Sequence, residues 1–217
     1  MPYVSILMLL ALSACSAHGD RRELEQPPPA IPSQVASTNP VHDDSLGGVD
    51  FRNFTYPDHK GLDGILLVDG EQPVDEEPWS LSGVEGGDLN GDGSDDAIVT
   101  LFMHTLGTMS LSRVYIFDVS RSGGPHLMWW FSSGDRAQGG LRRVMAQNGT
   151  LVVELFGNGI TPERALANPG NGPPDAACCP SHYTRAEYRW SGRRFERTKP
   201  PTILDNPSGS LGFVPDE

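Results

Sequence analysis

The stretch 87-GDLNGDGSDDAIVTL-101 places a row of oxygen donors in a short loop directly before an apolar run. A loop that coils around one point brings such donors together, and carboxylate and carbonyl oxygens are the ligands of a hard cation such as Ca²⁺. At position 7 of the pattern, Ser94 would add its backbone carbonyl. The cation would neutralise carboxylates that otherwise repel one another. We therefore predict a calcium site of Ser94 and the four side chains at positions 1, 3, 5 and 9, namely Asp88, Asn90, Asp92 and Asp96.

The loop differs from an EF-hand, although Gly93 stands at position 6, where the chain must turn sharply. Position 12 is Val99 rather than a bidentate glutamate, and no helical pattern flanks the loop. The pattern resembles instead the calcium loops of FG-GAP and VCBS-type repeats, found in integrin β-propellers and secreted bacterial proteins. That resemblance implies a calcium-binding turn that leads into a strand. A propeller would need several copies of the motif. The alternative interpretation is a metal-free turn held by Asx hydrogen bonds.

The N-terminus has the features of an export signal. Residues 4–13 are almost wholly apolar but too few to span a bilayer as a helix. The tetrapeptide Leu12-Ser13-Ala14-Cys15 resembles the lipobox of bacterial lipoproteins. That resemblance implies a diacylglycerol thioether on Cys15, an N-acyl chain after cleavage, and anchorage on the exported side of a membrane in the bacterial cell envelope. No Lys or Arg precedes the apolar run, which departs from the usual signal. The alternative interpretation is an ordinary cleaved signal in which the cysteine occurs by chance.

Composition divides the rest of the chain. We predict a signal peptide over 1–14, a lipidated disordered tether rich in proline over 15–47, a calcium-binding β domain over 48–199 and a flexible tail over 200–217. No long segment shows a helical period. Strand-like runs separated by turn signals occur at 51–56, 65–69, 96–103, 112–119, 126–132, 141–147, 151–156, 183–190 and 193–198.

These runs predict an all-β fold, an antiparallel meander folded into a sandwich or a partly closed barrel. The nearly continuous apolar runs 97–103 and 114–117 are typical of central strands covered on both faces. The turn signals Asn148-Gly149 and Ser191-Gly192 each predict a tight hairpin. The Asn148-Gly149 turn would place Arg143 opposite Glu154 as a cross-strand ion pair. The Ser191-Gly192 turn would place Tyr188 opposite Phe195 as a core contact.

The pair Cys178 and Cys179 is adjacent in the sequence, next to Pro180. Neighbouring Cα atoms lie ~3.8 Å apart, which is less than the roughly 4.4–6.8 Å of an ordinary disulfide. A disulfide between these two cysteines would therefore close a strained turn. We interpret the pair as part of a rigid turn, bonded or not, and keep a redox-sensing disulfide as the alternative.

The net charge of −12 argues against nonspecific nucleic-acid binding. The sequence contains no G-x-S-x-G, H-E-x-x-H or P-loop motif, and His104, His126 and His182 are scattered, as structural histidines are. Residues 51–198 resemble a family of uncharacterised exported bacterial proteins, which implies one compact domain and no particular activity.

Three hypotheses about function follow. The first is a membrane-tethered, calcium-stabilised β module that binds an envelope protein or glycan or has a structural role. The second is a hydrolase of envelope polymers that uses Asp135 and Glu154 as acid and base. The third is a thiol–disulfide sensor. We favour the first.

Overall fold

A computed structural model of the chain describes residues 45–58, 64–74, 78–103, 111–120, 122–136, 138–167, 179–207 and 209. All of these belong to one compact unit, Pro40–Glu217. The predicted signal peptide, Cys15 and most of the tether lie outside the described residues, as does Cys178. No helix in the described part of the chain is long and apolar enough to cross a bilayer.

The described chain is almost entirely β, as the sequence predicts. Its elements are β1 (Ser45–Leu46), β2 (Val49–Asp50), β3 (Thr55–Tyr56), β4 (Ile65–Leu66), β5 (Trp79–Gly87), β6 (Asp96–Met103), β7 (Leu111–Asp118), β8 (His126–Ser132), β9 (Leu141–Gln147), β10 (Thr150–Phe156), α1 (Pro162–Ala167), β11 (His182–Trp190), β12 (Phe195–Arg197) and β13 (Thr202–Asp205).

Two antiparallel sheets dominate the fold. The first has the strand order β5-β6-β7-β8, and the second has the order β12-β11-β10-β9 with β13 paired to β11. The sheets are not closed into a barrel, so the sandwich is the correct one of the two predicted forms. Their facing sides share one buried core, which includes Ile98, Val114, Ile116 and Phe131 from the first sheet and Val144, Leu151, Val153, Leu155 and Tyr188 from the second.

The other face of the first sheet is also covered. The short hairpins β1–β2 and β3–β4 come before it in the chain, and Phe51, Tyr56 and Leu67 from this region are fully buried. They pack in a second core with Ala97, Val99, Leu101, Tyr115 and Phe117. Burial of each large apolar side chain contributes about 1.5–3 kcal/mol. The prediction that the apolar runs of β6 and β7 form central strands with both faces covered is confirmed.

The two predicted hairpins have different outcomes. Asn148 and Gly149 both have positive φ, 51° and 69°, which a two-residue type I′ turn requires. The turn sets Arg143 opposite Glu154 as predicted. The second register is wrong, because Trp190 rather than Tyr188 lies opposite Phe195. The loop there has four residues, Ser191–Arg194, and is closed by a 2.9 Å bond from the Ser191 N–H to the Arg194 carbonyl.

Four strands lie where the sequence predicted none, namely the short β1 and β2 and the longer β5 and β13. β5 has nine residues, but it is an edge strand with three glycines and several exposed positions, so it shows no apolar alternation. β13 lies inside the predicted flexible tail, and that prediction is wrong for Thr202–Asp205, which pairs with β11 from His182 to Arg185. The first strand, β1, begins at Ser45, three residues before the predicted start of the β domain at residue 48.

Candidate metal centre

The acidic loop joins two neighbouring strands at one end of the first sheet. β5 ends at Gly87 and β6 begins at Asp96. Gly91 and Gly93 have φ values of 82° and 87°, a conformation that costs glycine little and other residues much more. At Gly87 an added Cβ would lie 2.2 Å from the Cβ of Ala146 in β9. Glycine there lets the two sheets approach closely just before the loop.

Backbone N–H groups of the loop are bound by its own side chains. Asp88 accepts hydrogen bonds from Gly91 N–H at Oδ1 (2.6 Å) and from Gly93 N–H at Oδ2 (3.0 Å). Asp92 Oδ1 accepts the N–H of Ser94 at 2.8 Å, and this bond is the main reason that the pKa of Asp92 is lowered. These are Asx-type turns, so the loop holds its shape through its own hydrogen bonds.

Asp96 is the buried anchor of the loop, with 1 % of its surface exposed. Its Oδ2 accepts the N–H groups of Leu89 and Asn90 at 2.9 and 3.0 Å, and its Oδ1 accepts the Asn90 side-chain amide at 3.1 Å. Burial nevertheless raises the pKa of Asp96 to about 6, although the two N–H bonds oppose the rise. The negative charges of Asp118 and Asp92 raise it further.

Sequence reasoning missed two neighbours of the loop, Asp118 and Ser120. Asp118 ends β7 and is 2 % exposed, and the antiparallel pairing of β6 with β7 brings it to the same end of the sheet as Asp96. The Ser120 hydroxyl lies 2.9 Å from Asp92 Oδ2 and 2.7 Å from Asp118 Oδ1. The signal in the sequence was an aspartate that follows the apolar run of β7.

The donor chemistry of the loop fits a hard cation. Every predicted ligand offers oxygen, and an ionised carboxylate has about four lone-pair sites, of which Asp88 uses two for N–H groups. In the described part of the chain, no Lys or Arg side chain forms an ion pair with Asp88, Asp92 or Asp96. The described residues also contain no group of three acidic, His or Cys side chains already arranged around one point. A bound cation would therefore draw these oxygens closer together.

The candidate acid and base of the hydrolase hypothesis have arginine partners. Glu154 is 3 % exposed and forms ion pairs with Nη1 of Arg142 and, at 3.4 Å, with Nη1 of Arg185. Asp135 Oδ1 lies 3.5 Å from Arg136 Nε. Each of these carboxylates is therefore held in an ion pair with arginine, which gives it a structural role in the fold. The register shift between Glu154 and Leu155 leaves Arg142 without a cross-strand partner in the β9–β10 ladder. This explains why Arg142 forms an ion pair with Glu154, for which the sequence predicted Arg143.

The remaining candidate residues are the two adjacent cysteines and the histidines. Cys179 is exposed, and the interpretation of Cys178 and Cys179 as a rigid turn, bonded or not, stays untested because Cys178 lies outside the described residues. His182 lies 3.4 Å from Asp205, across the β11–β13 pair. His126 is exposed and lines an open depression beside the acidic loop, together with Trp190.

Comparison of the chain with models of protein families, with curated proteins and with solved structures gives no match.

Proposed function

We propose that this protein is a lipid-anchored lipoprotein of the bacterial cell envelope whose exported β domain is stabilised by one Ca²⁺ and has a binding or structural role. The observation that carries the calcium part is Asp96. Its carboxylate is buried beside a second buried acid, Asp118, and in the described residues it has N–H partners but no cationic one. Buried charge without an opposite charge is costly, and a cation at the loop would remove that cost.

The five predicted ligands would share the ion as follows. The carboxylates of Asp88, Asp92 and Asp96 supply three negative charges, and Asn90 and the Ser94 carbonyl supply neutral oxygens. Extracellular calcium modules bind with Kd of about 10⁻⁴ to 10⁻³ M. At ~1 mM calcium the added stability is then roughly 0.4–1.4 kcal/mol. The domain therefore folds without the ion and becomes more stable with it.

The lipid anchor rests on the lipobox-like sequence that ends at Cys15. Acyl chains contribute about 0.8 kcal/mol per buried CH₂, so two or more chains hold a protein stably at a membrane. The excess of acidic residues disfavours nucleic acid as a partner. Partners that suit this location are an envelope protein or glycan.

Metabolic labelling with a palmitate analogue in a bacterial host tests the anchor. We expect the wild-type chain to be labelled and to sediment with membranes, and Cys15→Ser to lose both properties. Cys179→Ser is the matched control and should be labelled like the wild type. A wild-type chain that stays unlabelled while a known lipoprotein in the same cells is labelled would contradict the anchor.

A further inference from the structure

A cavity of about 310 Å³ lies between the two sheets where the edge strands β5 and β9 diverge. At one end the sheets touch, at Gly87 and Ala146. Toward the other end both ladders are interrupted, by a bulge at Ser82 in β5 and by a bulge at Arg142 in β9, opposite Glu154 and Leu155 of β10. Bulges bend strands and redirect side chains, so the facing sheets separate here and leave a cleft.

The walls of this cleft are largely apolar and its rim is polar. The wall consists of Ile98, Thr100 and Phe102 from β6 with Leu141, Val144 and Phe156, and is apolar except for Thr100; the polar rim consists of Ser82, Glu85, Ser112 and Arg136. Phe102 and Leu141 line the cavity and are only half-buried, so no side chain of the described residues fills this space. The volume lies at the lower end of the roughly 300–1,000 Å³ of small-molecule sites.

Arg136 is held at the rim by a strained glycine-rich turn. Its φ is 38°, in the left-handed region that arginine rarely adopts. The Arg136 carbonyl accepts the N–H of Gly140 at 2.7 Å, and a Cβ on Gly140 would lie 2.5 Å from that carbonyl oxygen. A Cβ on Gly134 would lie 2.1 Å from the Gln138 carbonyl. Strain of this kind persists only where the surrounding structure enforces it, and it is concentrated at functional sites.

The guanidinium of Arg136 has a buried donor without an acceptor. Its Nε makes no hydrogen bond with the described residues, and the nearest carboxylate oxygen, on Asp135, is 3.5 Å away. The Nε groups of Arg113 and Arg142 also lack partners, but each of those side chains uses Nη1 to bond a carboxylate. Arg136 Nε is inaccessible and faces Asp135, so the Nη groups, which have no hydrogen-bond partner in the described chain, are the donors that a ligand in the cleft could reach.

We infer that this cleft binds a small amphipathic carboxylate, whose apolar chain lies between the sheets and whose carboxylate accepts hydrogen bonds from Arg136. A carboxylate matches the planar donor set of a guanidinium. The wall, apolar except for Thr100, fits an aliphatic chain. Glu85 on the rim would repel a second anionic group, so a monocarboxylate is favoured over a dicarboxylate. The cleft uses none of the acidic-loop residues and is independent of calcium.

Calorimetric titration of the full chain with octanoate tests this inference, with 1-octanol and octylammonium as probes that lack the carboxylate. Octanoate should bind saturably, and both control probes should bind at least about tenfold more weakly. Arg136→Asn removes the guanidinium but tolerates the left-handed conformation, and should weaken octanoate binding about tenfold or more. Arg193→Gln removes an exposed arginine of the β11–β12 loop and should leave binding unchanged.

Thr100→Leu tests the location of the chain, because it adds apolar volume inside the cleft while Arg136 stays in place. It should reduce octanoate binding without lowering the melting temperature. If Arg136→Asn does not fold, Arg136→Lys, which keeps the charge but loses the planar fork, should bind more weakly than the wild type. Absence of saturable octanoate binding, equal binding of 1-octanol, or binding unaffected by a folded Arg136 variant and by Thr100→Leu would each overturn the inference.

Discussion

The two sheets each bury a carboxylate, and they do so in opposite ways. Glu154 in the second sheet is 3 % exposed and lies between the guanidinium groups of Arg142 and Arg185. Asp96 in the first sheet is 1 % exposed and is surrounded by N–H donors, with the acid Asp118 as its charged neighbour. The second sheet carries its own counter-charge. In the described part of the chain, Asp96 of the first sheet has hydrogen-bond donors but no counter-charge.

The difference shows what each region needs in order to be stable. A buried charge must be paired or neutralised, because its transfer out of water is costly. Glu154 is paired within the chain, so its surroundings are complete without any ligand. Asp96 can reach neutrality by taking up a proton, as its raised pKa indicates, and we propose that a cation from solution is the alternative. Protons and calcium should therefore compete at the acidic loop.

The largest expected effect is at Glu154. Glu154→Gln removes the buried charge that Arg142 and Arg185 share, although Arg142 keeps its contact with the Tyr183 ring and Arg185 keeps its ion pair with Glu187. We expect this to lower the free energy of unfolding by about 2–3 kcal/mol. This is below the roughly 3–5 kcal/mol for fully buried pairs, because the side chains of Arg142 and Arg185 keep 14 % and 28 % exposure. Urea denaturation measures the change.

Glu196→Gln is the matched control, because Glu196 pairs with Arg194 at 2.9 Å but both side chains are more than half exposed. Its cost should stay within about 1 kcal/mol. Equal losses for the two variants would mean that burial does not distinguish the two ion pairs, and the comparison with Asp96 would lose its basis.

The second effect is a pH dependence of the metal-free protein. Because the pKa of Asp96 rises from 3.8 to about 6 on folding, the folded state holds this proton more tightly than the unfolded state. Its contribution to stability is therefore full below about pH 4 and is lost as the pH rises through about 6. Between about pH 5 and pH 7 the loss is on the order of 1 kcal/mol.

Asp96→Asn sharpens this comparison, because the amide is neutral at every pH and keeps an oxygen for the loop N–H groups. Urea unfolding in chelator should show less decline in stability between about pH 5 and pH 7 for Asp96→Asn than for the wild type. At neutral pH the variant should be at least as stable as the metal-free wild type. A variant with an unchanged pH profile would show that another group is responsible.

The sequence predicted the parts of this molecule that have strong local signals. The apolar runs of β6 and β7 and the Asn148-Gly149 turn each depend on a few neighbouring residues, and the structure has them as predicted. β5 and β13 were missed because their strand conformation comes from pairing with β6 and β11, distant in the sequence. Edge strands with exposed or glycine positions need no apolar alternation.

Only the part of the candidate site that lies in one continuous segment could be predicted from the sequence. The acidic loop is contiguous, so its donors could be named from spacing. Asp118 and Ser120 lie beside the loop because of the register in which β6 pairs with β7. The cleft at Arg136 depends on two bulges, and no local sequence pattern predicts them. The four-residue loop at Ser191 was misread because Ser-Gly also suits the tighter turn.

The smallest expected effect is a rise in melting temperature on calcium binding, and it tests the acidic loop most directly. At ~1 mM calcium the melting temperature should rise by a few degrees relative to chelator. Asp92→Ala should abolish this rise, whereas Asp95→Ala, which removes an adjacent exposed charge outside the predicted ligand set, should keep most of it. Mg²⁺ should bind more weakly, because it demands stricter octahedral geometry.

Calorimetric titration of the protein with Ca²⁺ tests the central claim, that the acidic loop takes its missing counter-charge from solution. We predict one Ca²⁺ per chain with Kd of about 10⁻⁴ to 10⁻³ M, and no binding to Asp92→Ala. Absence of binding heat, together with identical melting in chelator and in millimolar calcium, would contradict the claim and leave a metal-free turn held by its own Asx hydrogen bonds.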